Sequence, residues 1–345
     1  MSSTGPISIH LLGLGRVGRA VARALLRDQR GLVALATVED RSGVFRIDTE
    51  APDATDRAIS IKEGGAPLSQ TGLDPWPEDR ELGSADLLVD LTASDRTHTR
   101  ICKALRQGCG VVLANKIPIS GDAEYFRLIQ DAAQAGNASL RASATVGAGL
   151  PVMDALVQGA RADVCPDRIT ASMSGTLTYL LEGLRAGKAL DDHLAEAVSK
   201  GIAEPDPTVD IAGRDVLRKA TILARLSGLS DRVLERESFA ASGATRAAGE
   251  AIQREQSIAE RTGQAYLYLA ELTAEGIRVG FRRVKADSDH ARVSGEQNVF
   301  VIEPGPGVAP VSISGPGAGI TPTARAVLRD VFTIAAGDPG HLPLV

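Results

Sequence analysis

The chain has 345 residues, 43% hydrophobic and 23% charged, the balance of a folded protein with length for about two domains. A net charge of −5 and an aromatic content of 3% exclude bulk attraction to nucleic acid or anionic lipid and leave few base-stacking platforms. No apolar run approaches the roughly 20 residues that span a bilayer, and the N-terminus MSSTGPISIH lacks the basic start of a signal peptide, so a cytoplasmic protein is expected.

Ile7–Leu12 is an apolar run that predicts a strand. Gly13-Leu14-Gly15-Arg16-Val17-Gly18 follows at once, and a helical pattern runs from Val17 to Leu26. Strand, G-x-G-x-x-G and helix in that order predict a dinucleotide site. The glycines permit a tight turn and close approach of backbone to a pyrophosphate, and the helix start supplies N–H donors. His10 is read as a core residue. Leu32–Val38 predicts a second strand and ends in Glu39-Asp40-Arg41-Ser42. An acid there suits the ribose of NAD and Arg41 suits the 2′-phosphate of NADP, so the choice stays open. Residues 44–83 are polar and rich in Pro, Gly and Asp, and read as a surface connection with one helix or strand, anchored by Trp76.

Asp86–Leu91 predicts a third strand leading into Thr92, and His98–Gln107 a helix. Gly110–Ala114 predicts a fourth strand ending at Asn115-Lys116, with Pro118 as its stop and a helix over Glu124–Ala135. Ligands of open α/β sheets gather at the carboxyl ends of strands, which marks Thr92 and Lys116. The other reading of Lys116 is a strand-end cation facing water. Leu140–Leu150 predicts a fifth strand and the exit from the first domain. Its Gly147-Ala148-Gly149 is either a simple turn or bare backbone offering carbonyls to an ion. Pro151 opens a helix over Val152–Gly159. Cys102, Cys109 and Cys165 have no C-x-x-C spacing, which predicts reduced, buried thiols and no zinc site.

In the second half, Ile169–Met173 predicts a strand, Ser174-Gly175-Thr176 a turn, and Leu177–Leu184 and Asp191–Lys200 helices. The stretch GIAEPDPTVDIAGRDVLRK, Gly201 to Lys219, concentrates Glu204, Asp206, Asp210 and Asp215 around two prolines that deny it a regular helix. Asp210 reads as an N-cap, and Gly228 as the end of the helix that follows. Asp215 and Lys219 share a helical face. One reading is a surface ion pair worth roughly 0.3–0.5 kcal/mol. The other starts from the count of 31 Arg against 7 Lys. A lysine beside a run of arginines suggests a need to exchange a proton, which arginine cannot meet. Glu204 and Asp215 then become candidate ligands for a cationic or hydroxylated substrate. Leu267–Leu272, Arg278–Val284 and Asn298–Ile302 predict antiparallel strands. Val311–Ser314, Gly315-Pro316-Gly317-Ala318-Gly319 and a helix over Thr323–Ala335 read as a return to the first domain. The expected division is 1–150 for dinucleotide binding, 151–310 for substrate and dimerisation, and 311–345 for the return.

Six stretches in this order, GLGRVG at Gly13, ANK at Ala114, ATVGAGLP at Ala144, SGTLTY at Ser174, GIAEPDPTVDIAGRDVLRK at Gly201 and GPGAG at Gly315, resemble the homoserine dehydrogenase family over nearly the whole chain. The resemblance implies an α/β protein. A Rossmann-like nucleotide-binding domain would be closed by the C-terminal helix, beside a mixed α/β substrate-binding domain whose sheet makes a homodimer. The form would be the bare one, without aspartate kinase or a C-terminal regulatory domain. It implies reversible NAD(P)-dependent reduction of L-aspartate 4-semialdehyde to L-homoserine, in threonine, methionine and isoleucine biosynthesis. By position, Lys219 would be the acid/base, with Lys116 its cationic partner, and Glu204 and Asp215 would hold the substrate. Gly13, Leu14, Gly15, Arg16, Val17, Gly18, Arg41, Thr92, Lys116, Gly201 and Gly319 would line NADP or NAD. Carbonyls of Ser143, Val146, Ala148 and Leu150 would hold a monovalent cation such as Na+. The family usually has Glu where this chain has Ser143; a carbonyl ligand survives that change and a carboxylate does not. The rivals are a dehydrogenase of another amino or hydroxy acid on the same scaffold, and a non-catalytic dinucleotide sensor.

Overall fold

The computed structural model describes residues 5–48, 52–76, 86–203, 206–207, 211–239, 246–337 and 340. The chain forms two compact units, 1–149 with 319–345, and 150–318.

The first unit is built on one sheet of six strands: β1 (Ile7–Leu12), β2 (Val33–Asp40), β3 (Gly43–Arg46), β4 (Leu87–Asp90), β5 (Gly110–Leu113) and β6 (Leu140–Arg141). Their order is β3-β2-β1-β4-β5-β6, parallel throughout except for the antiparallel β2–β3 pair. The helices are α1 (Arg16–Leu26), α2 (Pro52–Glu63), α3 (His98–Arg106), the short α4 (Ile117–Ser120) and α5 (Ala123–Gly136). β1 is apolar over successive residues rather than alternate ones because it has a partner strand on each side and its last four residues are buried. α1 buries Gly18, Val21, Ala22 and Leu25, spaced as one helical stripe. The chain leaves β1 toward β2 on one side and returns through β4 on the other. A crevice therefore opens where the carboxyl ends of β1 and β4 diverge.

The last helix of the chain, α11 (Ile320–Ala335), packs along α1 and closes this core with Val327 and Val331, both wholly buried. It is pinned by a polar clasp. Asp330, with no exposure, accepts from Arg141 Nε at 3.0 Å, Ser143 N at 2.8 Å and Ser143 Oγ at 2.7 Å. This clasp explains why the strand expected over Leu140–Leu150 pairs only at Leu140–Arg141. The Ser143 N–H is taken by a helix side chain instead of a neighbouring strand, and Ser143–Thr145 turns into a 3-10 helix. Residues 44–83 hold more structure than their composition suggests. The strand β3 and the helix α2 both lie there, and α2 buries only Thr55, Ala58 and Ile59, too narrow a stripe to stand out in the sequence.

The second unit carries α6 (Val152–Arg161), β7 (Arg168–Ser172), α7 (Gly175–Arg185), α8 (Leu190–Ser199), α9 (Arg214–Ser227), β8 (Val233–Arg236), α10 (Arg246–Arg261), β9 (Gln264–Thr273), β10 (Ile277–Lys285), β11 (Gln297–Glu303) and β12 (Val311–Pro316). Its sheet runs β12-β11-β7-β9-β10-β8, antiparallel apart from the parallel β10–β8 edge. α9 packs against α6, β9 and β10, and α10 against α7, α8 and β9. The sequence reading passed over β8 and α10; α10 buries mostly small or polar residues, among them Ala248, Gly249 and Gln256. Val311–Ser314 is not part of a return to the first unit. It pairs with β11, so the return begins at Gly319.

The expected N-cap Asp210 lies outside the described residues, and α9 instead has Gly213 at its N-cap, with φ +65°. Glycine is required there twice over, because a Cβ would also sit 2.2 Å from the Tyr268 hydroxyl. Gly228 ends the helix in the left-handed conformation, as read. Cys102 and Cys109 are buried but Cys165 is exposed, so the expectation of three buried thiols fails at the third.

Replacing Asp330 with Ala leaves Arg141 and Ser143 without their shared acceptor. It is expected to destabilise the protein by about 3–5 kcal/mol in denaturant titration, and a loss below about 1 kcal/mol would show that the clasp does not hold α11.

Candidate active site

The crevice beside β1 is a cleft of about 1010 Å³, lined by Gly13, Leu14, Gly15, Glu39, Asp40, Arg41 and the segment from Leu91 to Ser94, among others. Each glycine of the first loop has its own reason. Gly13 has φ +89°, and a Cβ on it would press on Leu91 and Thr92 at 3.0 Å. On Gly18 a Cβ would collide with the Gly13 carbonyl at 2.0 Å. Gly15 is different: nothing lies within 4 Å of the Cβ it lacks. The protein does not use that space, which is where a pyrophosphate would meet the start of α1. The first turn of α1 holds no acidic residue that would repel it.

Carboxylates along the cleft carry protein donors, Asp40 on both oxygens and Glu39 on Oε2. Burial pushes the Glu39 carboxyl up, but hydrogen bonds from His10 at 3.2 Å and Arg100 at 2.7 Å outweigh it and hold the group below its usual range. Asp40 has both oxygens filled. Oδ1 accepts from Ser42 N at 2.8 Å and from the Ser42 hydroxyl, and Oδ2 accepts from Lys62 and from Leu68 N at 3.1 Å. Burial raises the Asp40 pKa, and Lys62 and Ser42 more than reverse the shift. Arg41, beside it, is exposed and makes no side-chain hydrogen bond or ion pair among the described residues.

On the cleft wall, Thr92 has no spare hydroxyl proton. It donates through N at 2.9 Å and through Oγ1 at 2.7 Å to Asp90 Oδ1. Lys116 is half-buried just beyond β5, at the N-cap of α4; the strand has already ended at Leu113, and Pro118, expected as its stop, lies instead in the first turn of α4.

In the second unit, Lys219 is not a surface residue. It is 9% exposed in the middle of α9. Its ammonium donates to the Met173 carbonyl at 2.8 Å and pairs with Asp215 Oδ2 at 2.7 Å. Among the described residues it has no third acceptor, so one N–H is uncommitted. Met173 follows β7 directly, and Ser174 caps α7 through its hydroxyl at 3.3 Å from Leu177 N. Thr176 Oγ1 donates to the Ile202 carbonyl at 3.0 Å, which ties this turn to the stretch starting at Gly201. Gly201 has φ +69° with open space around it. Glu204 lies outside the described residues.

The family model "homoserine dehydrogenase" matches residues 151–332, and "homoserine dehydrogenase, NAD binding domain" matches residues 13–142. The chain belongs to the homoserine dehydrogenase family.

Homoserine dehydrogenase of Pyrococcus horikoshii is 29% identical over 94% of this chain and 96% of its own length. The bifunctional aspartokinase/homoserine dehydrogenase 2 of maize chloroplasts is 31% identical over 96% of this chain, and the chain spans only 38% of that relative. Among solved structures, a hyperthermophilic archaeal homoserine dehydrogenase in complex with NADPH superposes with a TM-score of 0.79 at 28% identity, covering 97% of this chain and 99% of its own.

Of the residues expected to line a nucleotide, Gly13, Leu14, Gly15, Arg41 and Thr92 stand at the walls of this cleft. Val17 packs on the core and Gly18 shapes the turn, while Arg16 is exposed at the first position of α1. Gly319 precedes α11 with φ +119°, and its carbonyl takes both the N–H and the hydroxyl of Thr323, at 3.2 and 2.7 Å. Residues that the sequence did not reveal include Lys62, Arg100 and Asn115. Lys62 was hidden in the featureless stretch after β3. Arg100 follows helical spacing from no residue already suspected. The Met173 carbonyl is a backbone atom, and no side-chain pattern could have marked it.

Gly15→Val fills the open space at the cleft. It is expected to leave the fold within about 1 kcal/mol of the parent, as an N-cap change does. NADPH binding, followed by fluorescence, should be lost; binding at parental affinity would remove the first loop from the nucleotide site.

Proposed function

We propose that the chain is an NAD(P)-dependent homoserine dehydrogenase that interconverts L-aspartate 4-semialdehyde and L-homoserine. The observation that carries the reading is the buried Lys219 ammonium, held by Asp215 and the Met173 carbonyl with one proton uncommitted. When bound, the nicotinamide supplies or takes the hydride. Lys219 holds the proton that the substrate oxygen gains on reduction, and takes it back on oxidation. Asp215 orients the amine and shares the binding of the polar substrate with Glu204. Lys116 adds a positive charge where negative charge develops on the oxygen. A dinucleotide sensor would need the glycine loops but has no use for a buried lysine.

NADP is the preferred cofactor in this reading. A ribose diol of NAD needs an acceptor carboxylate; both oxygens of Asp40 are occupied by protein donors, and Glu39 is held on Oε2 by His10 and Arg100. Arg41, at this end of the cleft, has no side-chain partner among the described residues, and it suits a 2′-phosphate. A monovalent cation fits the loop after β6 through backbone alone. Val146 and Ala148 are 0% and 3% exposed, and their carbonyls accept no hydrogen bond among the described residues. The Ser143 side chain is turned to Asp330, so it adds no ligand of its own beyond its carbonyl; Leu150 would add another carbonyl. Among the described residues no cluster of His, Cys, Asp and Glu offers a metal site. A homodimer through the second unit's sheet is supported by its open outer strand, β12, where Val311 is 50% exposed. No helix among the described residues is long and apolar enough to cross a membrane.

Homoserine-dependent reduction of NADP+ and NAD+ is the direct test, and no turnover with either would reject the assignment. Lys219→Arg keeps the charge and is expected to lose about 10²–10⁴-fold in kcat while staying folded. Arg41→Ala is expected to raise KM for NADPH by roughly 10–100-fold, the worth of a charge-assisted hydrogen bond, with NADH little changed. Equal effects on the two cofactors would argue against a phosphate-reading role.

A further inference from the structure

We infer that Asn115 is a positioning residue that locks the cofactor-lining loop carrying Thr92 to the backbone carrying Lys116, so that the two act as one block. The inference rests on the roles of Thr92 and Lys116 proposed above, and it concerns a residue that touches neither cofactor nor substrate.

Asn115 is 2% exposed at the end of β5. Its Nδ2 has four oxygens in reach: the Ser94 carbonyl at 2.8 Å, Asp90 Oδ2 at 3.0 Å, Thr92 Oγ1 at 3.2 Å and Thr97 Oγ1 at 3.3 Å. Its Oδ1 accepts from Ile117 N at 3.1 Å. The amide orientation is forced, since the flipped form would set an oxygen against a carbonyl and a carboxylate, and an NH2 against an N–H. One side chain thus joins the connection from β4 to α3 with the first turn of α4. Lys116 lies between the two residues fixed in this way, Asn115 and Ile117.

Asp90 makes the joint stiff. It is fully buried, and its side-chain partners are the uncharged Thr92 N–H, Thr92 hydroxyl and Asn115 amide. Among the described residues no lysine, arginine or histidine pairs with it. A carboxylate buried without a cation depends on every neutral donor staying in place. Removing the Asn115 amide therefore disturbs Asp90, and through Asp90 the backbone of Thr92, rather than being absorbed locally.

The test compares the full chain with its Asn115→Ala and Asn115→Asp variants. The readouts are NADPH affinity by fluorescence, and kcat and KM for homoserine, from about pH 6 to about pH 9. Asn115→Ala is expected to weaken NADPH about ten-fold and lower kcat about 100-fold, as small misplacements near a reacting centre do, with KM for homoserine held within about twofold. Asn115→Asp sets a second carboxylate against Asp90, and the pair shares one proton at low pH. While that proton is held, the substituted side chain still donates to Asp90. NADPH affinity should then fall as pH rises, over a range where the parent is steady. Other ionisable groups on the packed elements include Asp95 and Arg96 of the connection, His98, Arg100 and Cys102 of α3, and Lys116. All are present in both proteins, so a difference between the profiles belongs to position 115. If Asn115→Ala does not fold, Asn115→Asp compared at the two ends of the pH range carries the test. NADPH affinity and kcat within twofold of the parent at high pH in Asn115→Asp overturns the inference. Absence of homoserine oxidation in the parent would reject the function instead, and the NADPH readout would still decide the role of Asn115.

Discussion

Taking an ammonium group out of water is tolerable only where fixed acceptors replace the lost hydration. Lys219 meets that condition with two acceptors of different kinds. Asp215 comes from its own helix, one turn earlier, and is about half exposed; the Met173 carbonyl comes from the end of a strand. The second contact fixes how the helix lies on the sheet. Several local choices in the second unit serve it: a glycine where Tyr268 crowds the helix start, a serine cap that begins α7 just after Met173, and Thr176 tying that turn to Ile202. The lysine is held by two acceptors and keeps one N–H without an acceptor among the described residues.

The nucleotide unit solves a different electrostatic problem with the same economy of partners. A pyrophosphate brings negative charge to a cleft that already contains Glu39 and Asp40. Neither carboxylate is left free to repel it. His10 and Arg100 hold one, and Lys62 with two backbone N–H groups and a hydroxyl holds the other. The same commitments remove Asp40 as a ribose acceptor and leave Arg41 open. What the residues at this end of the cleft can offer a ligand is therefore set by which groups already hold protein partners, more than by which residue types are present.

That distinction also marks how far the sequence could be read. The glycine loop, the lysine at the end of β5 and the Asp215–Lys219 spacing were visible because they depend on residue type at fixed intervals. The strand-to-helix order of the first unit was visible for the same reason. The occupancy of the carboxylates at the end of β2 was not, because Glu39-Asp40-Arg41 looks the same whether they are free or occupied, and Lys62 lies 22 residues beyond Asp40. The expected strand after Leu140 failed because Asp330, far along the chain, captures its donors. Asn115 was read only as part of a motif; its side chain joins segments that no local pattern connects.

Asp330 also has a bearing on the order in which the molecule is made. The second unit is one uninterrupted stretch of chain, whereas the nucleotide unit is assembled from two stretches separated by it. On the ribosome, residues 150–318 emerge complete while the first sheet still lacks the helix that covers Val112 and seats Arg141 and Ser143. The nascent first unit therefore waits with an uncovered apolar flank until the final helix arrives, and that interval is when it is most exposed to aggregation or to chaperone capture.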